Sequence, residues 1–102
     1  MTSKAYELEA SVVAEIRRCY EPCDFEYVKT QLESTPLCWD SVAPPPRVHI
    51  AVIWLSEGCR AKFDDHLEEA VHDWRNTLIW AGLADEDWKE VLKAKKIDCS
   101  GW

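Results

Sequence analysis

This sequence predicts an all-α domain of about five helices, and three observations carry that prediction. Between Gly58 and Gly82 the apolar residues recur in steps of three and four, which keeps one face of a helix apolar. Glycines and prolines fall where helices should start or stop, as at Pro22, Pro36, Pro46, Gly58 and Gly82. The 102 residues contain only three glycines, too few for the turns of a β-sandwich or barrel. That length suits one domain, residues 1–102, with a single core.

The elements follow in chain order. Ser3 can cap a first helix that runs to about Tyr20, with Ala5, Leu8, Val12, Ile16 and Cys19 inward and Glu7, Glu15 and Arg18 outward. Glu21-Pro22 ends it. Asp24 can cap a second, shorter helix through about Glu33, whose ridge is Phe25, Val28 and Leu32, and Thr35-Pro36 stops it. These two helices should form a hairpin. The segment that follows, PLCWDSVAPPP, reads as a stiff crossover with a polyproline run, in which Trp39 either anchors the loop to the core or meets a partner.

Arg47 to Glu57 is ambiguous, because RVHIAVIWL is β-branched enough for a buried strand. The punctuation favours a helix. Pro46 suits the first turn, Val48, Ala51, Val52 and Leu55 share one face, and Gly58 stands where a C-terminal cap belongs. A strand would also need a partner, and no second segment offers one. With Ile50, Ile53 and Trp54 added, the helix is apolar nearly all round and should lie in the middle, between two helical hairpins. The alternative is an α+β domain with residues 47–55 as a strand.

The clearest helix is Arg60 to Ala81. Its inward stripe is Phe63, Leu67, Ala70, Val71, Trp74, Leu78 and Ala81, and Asp65, Glu68, Glu69, His72 and Asn76 gather opposite. Ile79 and Trp80 lie off the stripe, so either another segment covers them or they offer an apolar patch to a partner. Gly82 fits a left-handed cap, with Leu83 packing back on the last turn. Asp85 can cap a final helix, Glu86 to about Ile97, acidic at its start and rich in lysine at its end, as the helix dipole favours. Its stripe of Trp88, Val91, Leu92 and Lys95 should dock antiparallel on the long helix, leaving Asp98 to Trp102 to fray.

A formal charge of −7 argues against binding to phosphate backbones, which depends on cations displacing counterions. No apolar run reaches the ~20 residues needed to span a bilayer, and the N-terminus lacks a signal peptide, so a cytoplasmic protein with five reduced cysteines is expected.

Candidate chemistry is sparse. Glu69-Ala70-Val71-His72 places a carboxylate and an imidazole one turn apart, as in carboxylate-bridged di-iron bundles, but no second such pair exists and both residues face away from the apolar stripe. Cys19, Cys23, Cys38, Cys59, His49, His66 and His72 include zinc-ligating types without the close C-x-x-C pairs that a structural site uses. Cys59, after Gly58 and beside Arg60, should sit near a helix N-terminus, where a thiolate is stabilised; its simpler role is that of a turn residue. No cofactor is indicated.

Six tryptophans in so short a chain weigh more. One core cannot easily bury them all, so Trp80, Trp102 or Trp39 should reach the surface, where tryptophan marks interfaces. The expected function is that of an interaction or regulatory protein, acting as a homodimer, with Trp80, Ile79 and Trp39 in its interface. The alternative is a small thiol- or metal-dependent enzyme using Cys59, or Glu69 with His72. The stretches Ile50 to Gly58 (IAVIWLSEG) and Asp73 to Leu83 (DWRNTLIWAGL) resemble short bacterial helical proteins of no assigned activity, which implies a helical fold and a bacterial origin.

Overall fold

Six consecutive residues, Val48 to Ile53, are buried on all sides, and they lie on a helix. The computed structural model describes residues 8–35, 45–100 and 102, and within them are five helices and no strand: α1 (Ala10–Cys19), α2 (Pro22–Ser34), α3 (Pro45–Ser56), α4 (Arg60–Ala81) and α5 (Trp88–Ala94). The β-branched segment is therefore α3. A helix satisfies its own backbone groups, whereas a lone strand at the centre would bury unpaired N–H and C=O groups. Each of its fully buried aliphatic side chains contributes roughly 1.5–3 kcal/mol, far more than the few tenths by which valine and isoleucine disfavour a helix.

Two hairpins make up the core, and α3, expected to lie between them, is itself an arm of the second. One is α1 with α2, and the other is α3 with α4, the broadest contact between described elements. Pro22 does more than end the first helix, because it occupies the first turn of α2, where its missing N–H costs nothing. Phe63 of α4 fixes the second hairpin on the first, meeting Tyr20 and Tyr27 edge-on at centroid distances of 6.2 and 6.3 Å.

The α3–α4 turn is tight. Glu57 and Gly58 take left-handed backbone angles, φ 55° and 75°. At Gly58 a side chain is excluded twice over, since a Cβ there would lie 2.7 Å from the Cys19 carbonyl oxygen of α1 as well as straining the backbone.

α4 departs from the expected straight rod. Asp73 leaves helical geometry at φ −152° and ψ 80°, and its carboxylate accepts the backbone N–H of Asn76 at 3.3 Å, so it caps the second half of a broken helix. His66 and Trp80 measure the break. On an unbroken helix their Cα atoms would stand about 21 Å apart at 1.5 Å per residue. Their rings meet edge-on at 6.4 Å, so the second half folds back on the first. Val71, expected on the core stripe, is 40% exposed next to the break, while Thr77 takes an inward position. Gly82 ends the helix at φ 79°, with Leu83 donating to the Leu78 carbonyl at 2.9 Å and fully buried, as the sequence predicts.

Other expectations need correcting. α1 begins at Ala10, with Leu8 and Glu9 outside it, and Glu15 points inward. α5 starts at Trp88 and ends at Ala94, and it makes no broad contact with α4. It is held instead by Arg47 of α3, whose Nε and Nη2 donate to the Leu83 carbonyl at 2.8 and 2.5 Å while its guanidinium lies over the Trp88 ring. The C-terminal segment is not frayed, for Ile97 and Cys99 are buried and the Ser11 hydroxyl donates to the Asp98 carbonyl at 2.8 Å. No described helix is long and apolar enough to cross a membrane.

Candidate functional site

The second half of α4 carries apolar residues on both faces. Thr77 and Leu78 turn into the core, whereas Ile79 and Trp80 are 59% and 53% exposed. With Val71 they are the large apolar side chains most open to water among the described residues. Asp73 caps this segment at one end and Gly82 at the other, so the pair is presented on a short, fixed helix. His66 supports the indole of Trp80 from the first half of α4. Of the other tryptophans, Trp54, Trp74, Trp88 and Trp102 pack half-buried against the core. Trp39 and Cys38 lie outside the described residues.

A second site was not legible in the sequence. Glu15 is only 4% exposed, and its carboxylate accepts three kinds of donor. Arg18 reaches it through Nε and Nη2 at 2.9 and 2.5 Å, the Trp54 indole N–H at 2.7 Å and the Cys19 thiol at 3.7 Å. Burial alone would raise the Glu15 pKa, but the bonds from Arg18 and Trp54 more than offset it, and the carboxyl is held below its usual range. The Cys19 thiol is pushed up instead, by burial and by the neighbouring Glu15 charge.

Two open cavities flank this cluster. One, of about 390 Å³, is lined by Arg18, Cys19, Ile53, Trp54, Glu57, Gly58 and Lys95. The other, of about 600 Å³, lies between the start of α1 and residues 95–98. Arg18 and Lys95 line both, so the two form one groove.

The chemistry-bearing candidates are dispersed. Cys59 does sit at the N-cap of α4, exposed, but its thiol makes no capping bond. His72 is exposed and Glu69 half-exposed on the outer face of α4. Among the described residues no three ligand-type side chains gather as a metal ion requires. His49 is buried within α3, and its pKa is pushed down to about 4 by burial, so it is a neutral core residue at ordinary pH.

The class defined here is a small all-α domain with a displayed aromatic patch and a separate groove. Comparison with protein-family models, curated proteins and solved structures returns no match, so its function is argued from its own residues.

Proposed function

We infer that this chain is a bacterial cytoplasmic interaction module that pairs with a second copy of itself through Ile79 and Trp80. The observation that carries this reading is the exposure of those two side chains, each more than half open to water, on a helix capped at both ends. Tryptophan is the residue type that most often dominates an interface, and a rigid segment loses little entropy when it docks. Symmetric pairing of one patch with itself is the commonest route by which a small domain covers such a surface. The formal charge of −7 disfavours a nucleic-acid partner.

Native mass spectrometry over a range of concentrations tests this. A dimer that grows with concentration is expected, and Trp80→Ala should leave a monomer with unchanged helical circular dichroism. A wild-type monomer at every concentration, or a Trp80→Ala dimer as strong as the parent, would overturn the reading. Cys59→Ser and chelators should leave the dimer intact; if either abolished it, the thiol or metal alternative would take its place.

A further inference from the structure

The groove between α1, the C-terminal end of α3 and residues 95–98 joins three features that a surface crevice need not share. The first is charge. In a protein with 19 acidic and 12 basic side chains, Arg18, Lys95 and Lys96 converge on one crevice. Of the carboxylates beside them, Glu15 is paired with Arg18 and Glu57 with Lys62 at 2.8 Å, which leaves Asp98, bonded by the Ser100 hydroxyl at 2.7 Å, as the unpaired acid against two lysines. Among the described residues neither Lys95 nor Lys96 pairs with a carboxylate. The second feature is the half-buried indole of Trp54, held in place by its bond to Glu15. The two bonds that Arg18 donates to the same carboxylate fix its guanidinium and leave its remaining N–H groups for another acceptor.

The third feature is strain. Among the described residues, Glu57 and Lys96 are the two non-glycine residues with positive φ, at 55° and 62°, and both line this groove. Lys96 occupies the position after α5 that glycine usually fills, with Ile97 donating to the Leu92 carbonyl at 2.9 Å and Lys96 to that of Lys93. Lysine there carries backbone strain that glycine would not. Strained positions concentrate at functional sites, where the side chain is needed more than the conformation is easy.

We propose that this groove binds a small planar carboxylic acid, its carboxylate between Arg18, Lys95 and Lys96 and its flat apolar body against the indole of Trp54. The pairing of a fixed guanidinium with an aromatic wall selects a planar anion over a hydrated spherical one. At about 390 Å³ the open cavity beside Trp54 has room for one aromatic ring with a short side chain. The site is independent of Ile79 and Trp80, which do not line it.

The test is a titration with cinnamate, its neutral isostere cinnamamide and inorganic phosphate, followed by the Trp54 indole N–H resonance in heteronuclear NMR. Cinnamate should shift that resonance saturably, with cinnamamide and phosphate each about tenfold weaker or worse. Lys95→Gln should weaken cinnamate by about threefold, as loss of one exposed charge contact predicts. Lys96→Gly carries a double signature: it should weaken cinnamate similarly while raising the thermal midpoint, because strain and cation leave together. Trp80→Ala should bind cinnamate as the parent does, which separates this site from the dimer interface. Equal shifts by cinnamate and cinnamamide, equal binding of phosphate, no saturable shift, or lysine variants that bind like the parent would each overturn the proposal.

Discussion

Gly58 shows how much a single residue can hold. Its φ of 75° and the 2.7 Å that would separate a Cβ from the Cys19 carbonyl make it a junction of three helices, α1, α3 and α4. Gly58→Ala combines left-handed strain of about 1–2 kcal/mol with a backbone clash. A urea midpoint lower by the equivalent of at least ~2 kcal/mol is expected. A smaller loss would mean that the α3–α4 turn can move away from α1. The sequence foretells the glycine at this turn but not its second reason, since close approach to another helix leaves no local mark. Glu15 teaches the same lesson in reverse. Helical spacing puts it on the polar side of α1, and the indole of Trp54, 39 positions on, joins Arg18 in supplying the donors that make its burial tolerable.

At the scale of elements, α3 was legible as a helix and α4 was legible in its bounds, Arg60 and Ala81. The break within α4 was not. Asp73 reads as one more charged residue on a solvated face, because an acid that caps a new helix and an acid that decorates an old one have the same local sequence. What bends the helix is the chance to bury Leu78, Thr77 and Leu83 over α3 rather than extend past it. Asp73→Ala should therefore cost about 1 kcal/mol in urea unfolding, and Asp73→Asn, which keeps the acceptor, should restore most of that. Equal stability of the Ala and Asn variants would show that the capping bond to Asn76 contributes nothing. α5 was foreseen too long and docked on the wrong partner, because its lysine-rich end continues a helical pattern that Lys96 interrupts. The interruption turns Ile97 and Cys99 into the core, where a frayed tail was expected.

For the whole molecule, acid should be the main chemical threat. The folded state holds His49 neutral with its pKa pushed down to about 4, whereas the unfolded chain takes up that proton near 6.5. Between those values the unfolded state binds more protons, so stability falls as the pH falls, by up to about 3 kcal/mol for this residue. Glu15, held below the ordinary carboxylate range, adds stability present above that range and lost as the pH drops through its folded value. Both act in one direction. Urea midpoints at pH 7.5, 5.5 and 4.5 should decline in that order, with His49 still neutral by NMR at the middle value. A flat profile from 7.5 to 5.5 would mean that His49 takes up its proton in the folded state.

By itself the sequence determined the helical class, the buried central helix, the turn at Gly58, the left-handed helix end at Gly82, and the surplus of apolar residues at Ile79 and Trp80. These follow from periodicity and backbone preference, which act over a few residues. Tertiary structure alone decided the fold-back at Asp73, the burial of Glu15 and the groove that collects Arg18, Lys95 and Lys96 from distant parts of the chain. Those depend on which surfaces meet, and a one-dimensional pattern does not record the free energy of contacts between residues it keeps far apart.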